Sequence, residues 1–132
     1  MGLFSGIFGN SKTNNEERDA SGIPWKSLET VDQLDDIISQ SKGKPQVIFK
    51  HSTTCGISRM VLNMFNSGFS LEEGQMDFYF LDLQAHRSVS NEVAQKLGVQ
   101  HQSPQLLIVK NGVVVHHDSH GAISDIQLEK YL

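Results

Sequence analysis

The only cysteine of this chain, Cys55, lies in a sequence context that favours a reactive thiol. Residues 52–54 before it are polar and Gly56 follows it, so this stretch is too polar and too small for a hydrophobic core. An amphipathic helical pattern over 57–65 begins directly after the cysteine. The first N–H groups of such a helix lack backbone acceptors, and their dipoles favour a thiolate over a thiol. Because a thiolate is the nucleophile of thiol–disulfide exchange, the pattern predicts that chemistry at Cys55.

A single thiol restricts which reactions are available. It excludes an internal disulfide framework, a zinc site with several cysteines, and a C-x-x-C dithiol, because Ser58 stands three residues after the cysteine. A hydroxyl cannot resolve a mixed disulfide, so an external thiol must release anything bound to Cys55. A lone thiol also fits a reducing cytosol better than a secreted setting, and we expect a cytoplasmic protein.

Four basic residues are candidates for stabilising the thiolate. His51 and His101 could each lie near the sulfur, or each could be a hydrogen-bonded structural histidine. Lys50 and Arg59 could add positive charge there, or could lie on a solvated face. The sequence leaves both alternatives open for each of the four.

Three further histidines are clustered near the end of the chain, but we expect no metal site. His116 and His117 would point to opposite faces of a strand, so they cannot readily share one ion with each other and His120.

The elements that must position Cys55 follow the order β-α-β-α-β-α-β-β-α. Thr30 and Gln33 form a capping-box pattern, and Asn111-Gly112 is a hairpin signal. The predicted strands are 23–28, 46–50, 76–83, 105–110 and 113–116. The predicted helices follow Thr30, begin at Cys55, begin at Ser88 or Ser90, and begin at Ser124. We expect Met60, Met64, Phe65, Phe78 and Phe80 to be core.

This order predicts an α/β domain with a mixed five-stranded sheet and helices on both faces. The domain would span 23–132 and follow a flexible N-terminal arm, 1–22. Residues 1–9 are apolar and Gly-rich, with the pattern of a mobile arm or a weak docking tip, and 11–22 have the composition of a linker. Neither a signal peptide nor a membrane-spanning stretch is expected.

Composition is typical of a soluble globular protein, with 38% hydrophobic and 20% charged residues. The formal net charge is −4 and no long basic run is present, so we expect no nucleic-acid partner.

The order of elements, the cysteine that starts the second helix and Pro104 before the fourth strand resemble the thioredoxin fold. The closer resemblance is to the YtxJ-like family, the monothiol bacilliredoxins, over roughly 24–131. Residues 49–58 resemble its F-K-H-S-x-x-C-P-I-S, residues 101–105 its H-x-S-P-Q, and residues 119–123 its S-H-x-x-I. Three motifs in the correct order make this resemblance fairly specific.

The resemblance implies a cis Ser103–Pro104 bond that turns the Ser103 backbone toward the cysteine loop. Thr54, Gly56, Ser103 and Pro104 would then bind an extended thiol substrate. It also implies that Cys55 removes bacillithiol from thiolated client proteins, with bacillithiol as co-substrate and no tightly bound cofactor. The residues themselves do not choose between bacillithiol, glutathione and coenzyme A, and they leave the oligomeric state open.

One departure from the family pattern keeps a second function open. Gly56 stands where many members have proline, so Cys-Gly-Ile-Ser differs by one residue from the Cys-Gly-Phe-Ser of monothiol glutaredoxins. Such proteins can hold an iron–sulfur cluster with glutathione, but residues 117–121 do not match their Gly-Gly-x-Asp-Asp segment. A thiol sensor or adaptor without turnover is the third hypothesis.

Overall fold

The computed structural model describes residues 16–18, 23–72 and 74–132. The described elements follow the predicted alternation of strands and helices around one sheet. They are β1 (Glu16–Arg18), β2 (Pro24–Ser27), α1 (Val31–Gln40), β3 (Gln46–His51), α2 (Gly56–Ser67), β4 (Asp77–Asp82), α3 (Arg87–Leu97), β5 (Gln105–Lys110) and β6 (Val113–Ser119), followed by the 3-10 helices His120–Asp125 and Leu128–Tyr131. The described residues contain no helix that could span a membrane.

The strands form a mixed sheet in the order β1-β2-β4-β3-β5-β6. The strands β2, β4 and β3 are parallel, whereas β5 runs antiparallel to β3 and β6 antiparallel to β5. All five predicted strands are therefore present. A short sixth strand, β1, lies inside the segment that the sequence predicts as a linker, and it pairs antiparallel with β2. The remaining residues of the predicted arm lie outside the described part of the chain, and the domain boundary stays a prediction.

Alternating side chains of the sheet build two cores, one on each face. Along β3, Val47 and Phe49 pack on the face covered by α2, and Ile48 packs on the face covered by α1 and α3. All six residues of β3 are buried, as expected for a strand in the middle of a sheet that is covered on both faces. This central position fixes the end of β3, from which the cysteine loop departs.

Two local predictions are confirmed in detail. The hydroxyl of Thr30 accepts the Gln33 N–H at 3.1 Å, and the Gln33 side chain accepts the Thr30 N–H at 3.0 Å, which completes the capping box of α1. The Asn111-Gly112 hairpin has φ of 55° and 84°, the left-handed values that a tight β-hairpin requires.

Two predicted helix starts are wrong. Helix α3 is preceded by His86 as its N-cap, and Ser90 is buried inside the helix. The predicted final helix is replaced by two 3-10 helices, because Ile126 between them has an extended backbone. Ser124 donates its hydroxyl backward to the Gly121 carbonyl at 2.9 Å, so it does not cap a following helix.

Part of the predicted core is also wrong. Met60 and Met64 are 55% and 50% exposed, and Ile57 on the same side of α2 is 56% exposed. The helix instead buries Ser58 and Asn66 together with its apolar residues, because both polar side chains hydrogen-bond buried aromatic rings of the sheet. Because this side of α2 is the buried one, three apolar side chains on the other side remain exposed. They form the stripe Ile57/Met60/Met64, which begins two residues after the cysteine. The predicted burial of Phe65 and Phe78 is confirmed, and Phe80 packs partly buried against the same core.

Candidate active site

Cys55 is the N-cap of α2 and is partly buried. The first hydrogen bond of the helix runs from the Arg59 N–H to the Cys55 carbonyl at 3.2 Å. The three N–H groups of Gly56, Ile57 and Ser58 therefore have no acceptor within the helix. Their partial positive charge lies at the end of the helix to which Cys55 belongs, and such a charge attracts anionic groups.

The loop before Cys55 is held by Gln84, a residue that the sequence analysis did not identify. Its side-chain oxygen accepts the N–H and the hydroxyl of Thr53 at 2.9 and 2.7 Å, and its amide nitrogen donates to the Thr54 hydroxyl at 2.6 Å. Gln84 follows β4, the parallel neighbour of β3, so both loops emerge at the same edge of the sheet. That shared edge is the signal by which the residue could have been found.

A buried hydrogen-bonded pair, His51 and Ser58, supports the loop before Cys55. The His51 Nδ1 atom lies 2.8 Å from the Ser58 hydroxyl oxygen, and that oxygen accepts the Ser52 N–H at 3.2 Å. Burial lowers the pKa of His51 below its usual 6.5; nearby Asp82 opposes this shift and Arg59 adds to it. The ring is therefore neutral at pH 7, and it acts on the loop through its hydrogen bond.

The segment 101–104 reaches the same edge of the sheet from the other side of β3. Lys50 pairs with Gln105, so one step further along the antiparallel pair Pro104 lies level with His51. The Ser103–Pro104 bond is cis, as the resemblance implies. The buried Pro104 offers its carbonyl to the His120 N–H at 3.0 Å, which ties the segment to the chain after β6.

His101 lies on the opposite face of the sheet, with Lys50. The Lys50 Nζ atom is 3.2 Å from His101 Nδ1 and donates to the Ser90 carbonyl at 3.3 Å. Burial lowers the pKa of Lys50 to about 8. The pKa of His101 is also lowered, first by burial and then by the charges of Lys50 and Arg87. His101 is thus neutral at pH 7 and can accept a hydrogen bond from the Lys50 ammonium group.

The structure thus brings together the predicted loop residues Thr54 and Gly56 with Cys55 at one edge of the sheet, and it places Pro104 at that edge. Both predicted thiolate-stabilising histidines instead have partners of their own, Ser58 for one and Lys50 for the other. Their direct action on the sulfur stays a prediction. Lys50, expected to be exposed or near the sulfur, is buried on the face away from α2.

Gly56 provides open space at the start of the helix. A Cβ atom built on this residue meets no atom within 4 Å, and the residue itself is exposed. The fold therefore does not require glycine here, and a proline at this first helical position would be compatible with it.

The three clustered histidines form no metal site in the part of the chain that the structure describes, where no group of three metal-ligating side chains is found. His116 instead pairs with Asp118 at 2.7 Å and stacks on Tyr131.

Fold and site together define the class of thioredoxin-like thiol oxidoreductases. A solved structure of a proposed oxidoreductase with a thioredoxin fold is 36% identical, with a TM-score of 0.65 over 75% of this chain and 85% of that chain. Thioredoxins of Malassezia sympodialis and Trypanosoma brucei brucei are 21% and 14% identical, with TM-scores of 0.61 and 0.63. Each of these two comparisons covers 78% of this chain and 84% of the thioredoxin, and both show the fold alone.

The family can be stated more closely. Residues 26–128 match the family of the monothiol bacilliredoxin BrxC, and the chain belongs to this family.

Proposed function

We propose that this protein is a monothiol disulfide reductase that removes bacillithiol from thiolated client proteins through Cys55. The observation that carries the proposal is the position of Cys55, a partly buried residue at the start of α2 in a chain of the monothiol bacilliredoxin family. A helix N-terminus lowers the cost of the thiolate, which both attacks disulfides and leaves readily.

The cycle has two exchange steps. In the first, the Cys55 thiolate attacks the sulfur of the small thiol in the mixed disulfide. The old S–S bond breaks, the client cysteine leaves as a thiolate, and a new disulfide joins Cys55 to the small thiol. In the second, the thiolate of an external thiol attacks that disulfide and releases Cys55 as a thiolate. No electrons beyond those of the external thiol are needed.

Two surfaces support binding of a client chain beside the sulfur. The exposed stripe Ile57/Met60/Met64 continues from the cysteine along α2 and offers apolar area to a protein client. On the other side, the backbone of Ser103 can pair with an extended client segment, as the family resemblance implies. Thr54 and Gly56, the neighbours of Cys55 in the chain, would then contact the client.

The test is turnover of a peptide that carries bacillithiol on its one cysteine, followed by intact-mass analysis. We expect the peptide thiol to be released while Cys55 gains the mass of bacillithiol, and we expect Cys55→Ser to abolish both. A matched control moves the sulfur: the double variant Cys55→Ser, Ser67→Cys places a thiol at the exposed far end of the same helix.

Equal turnover in either variant would refute the role of Cys55. If the same peptide carrying glutathione or coenzyme A is turned over faster, that thiol, and not bacillithiol, is the co-substrate. Addition of the small thiol without catalytic turnover would identify a sensor, and visible absorption after anaerobic purification would identify a cluster carrier.

A further inference from the structure

Lys50 is a buried cation for which the proposed cycle has no use. Its side chain is 0% exposed and its strand, β3, leads directly into the cysteine loop. Lysine is almost never fully buried without a purpose or a partner, since its charge loses hydration. The two polar partners of its ammonium group, the Ser90 carbonyl and His101 Nδ1, both lie on the α3 face of the sheet.

Lys50 contacts both ends of one short segment. Its backbone pairs with Gln105, and its ammonium group lies 3.2 Å from His101 Nδ1. The residues between these two contact points, 102–104, include the Ser103 backbone that is proposed to bind the client. A second contact closes the same segment, because the Gln105 side chain donates to the Gln100 carbonyl at 2.9 Å.

These contacts lie on the face away from α2. Gln105 and Lys50 are opposite each other on the α3 face. Pro104 lies one step further in the register, opposite His51, and therefore belongs to the α2 face. The segment is thus held on the α3 face of the sheet. Its side toward the α2 face remains available to a client chain that lies along the cysteine loop. A segment fixed at both ends loses little freedom when a client binds, and that raises affinity.

We propose that Lys50 is a positioning residue for substrate binding, which holds the segment His101–Pro104 beside the cysteine loop through His101. This inference rests on the proposed function of Cys55. Lys50 touches neither the sulfur nor the client in this arrangement, so it acts on the affinity for the client and leaves the reactivity of the thiol unchanged.

Four single variants, and a double variant of the two loss changes, test this role. Lys50→Met keeps the length of the side chain without its donor, and His101→Leu removes the acceptor. His101→Asn places an amide oxygen near the position of Nδ1 and serves as the rescue variant. Lys44→Met is the matched control, since Lys44 pairs with Asp77 at 3.2 Å at the opposite end of β3.

We expect Lys50→Met and His101→Leu each to raise KM for the thiolated peptide about tenfold, the usual effect of losing one charge-assisted hydrogen bond. The double variant should be no worse than either single one, because both remove the same contact. The rate at which iodoacetamide alkylates Cys55 should stay within about twofold of wild type, since the thiol itself is unchanged. His101→Asn and Lys44→Met should behave as wild type.

A KM unchanged in both loss variants, or raised equally by Lys44→Met, overturns the positioning role while the proposed function stands. If wild type turns over no mixed disulfide, amide hydrogen exchange over 100–105 still tests whether Lys50 holds this segment through His101. In that case the proposed function fails, and faster exchange in His101→Leu still supports the anchor, whereas unchanged exchange removes it. If Lys50→Met does not fold, the exposed His101 carries the same test.

Discussion

At the scale of single residues, Ser58 shows how a side chain at a reactive position can serve the structure. It lies one turn after Cys55, where a dithiol protein of this fold would carry its second sulfur. Here its oxygen instead accepts the Ser52 N–H and contacts the His51 ring. The loop that presents Cys55 is therefore tied to the helix that follows it by a buried hydroxyl.

Replacing Ser58 by alanine should destabilise the protein and slow turnover. The change leaves the Ser52 N–H and the buried His51 ring without their partner, which costs about 2 kcal/mol. Urea unfolding measures the loss in free energy of unfolding, and the peptide assay measures turnover. Ser67→Ala is the control: its hydroxyl donates to the Asn63 carbonyl on the exposed end of α2, and we expect less than about 0.5 kcal/mol. Equal effects of both changes would contradict the role of Ser58.

Residue roles were only partly predictable from the sequence. The position of Cys55 at the start of a helix could be predicted, because its polar neighbours and the helix pattern agree; its catalytic role stays a prediction. Gln84 was not identified, because it lies 29 positions beyond Cys55 and its link to the cysteine loop depends on the parallel pairing of β3 with β4. His51 and Lys50 are adjacent in sequence, yet the alternation of a strand directs one toward α2 and the other toward α3.

At the scale of elements, α2 joins the chemistry to a surface for protein clients. The sequence correctly predicted where this helix begins, since Cys55 is its N-cap and Gly56 its first residue. It did not predict which side is buried, because the buried side includes Ser58 and Asn66, whose hydrogen bonds compensate for their loss of hydration. The methionines that look like core in the sequence are exposed for this reason.

Polar replacement of these methionines should weaken binding of protein clients selectively. We expect the double variant Met60→Gln, Met64→Gln to raise KM for a thiolated protein about tenfold. The reason is that two half-exposed side chains lose apolar area that they could bury on binding. KM for a thiolated dipeptide, which is too short to reach the stripe, should not change. The control Val113→Gln, Val115→Gln alters two exposed residues of β6. A rise with this control, or with the dipeptide, would argue against docking on α2.

At the scale of the whole molecule, the two cores on either side of the sheet were largely predictable. The order of the elements indicated a sheet with helices on both faces, and each face of the sheet carries one core. The buried cation could not be predicted from periodicity, since Lys50 ends an apolar run and resembles a polar boundary of the strand. Its burial depends on Ser90 and His101, which are 40 and 51 positions away.

The buried Lys50 should make stability depend on pH in a definite direction. Its pKa is about 8 in the folded protein, whereas a fully hydrated lysine has a pKa of 10.5, so between these values the unfolded chain binds more protons. Stability therefore rises with pH across this window, and below about pH 8 the buried charge opposes folding. Relative to Lys50→Met, wild type should gain on the order of 3 kcal/mol across the window. Urea unfolding of both proteins measures the difference, and a difference independent of pH would disprove the shift.

The hydroxyl of Ser58 also has a consequence for the timing of the proposed cycle. A second sulfur at that place would resolve the mixed disulfide intramolecularly, at an effective concentration in the millimolar range or higher. With a hydroxyl there, the interval before Cys55 is free again is inversely proportional to the concentration of the outside thiol. The fraction of molecules that wait in the loaded form would then report on the cell's supply of reducing equivalents.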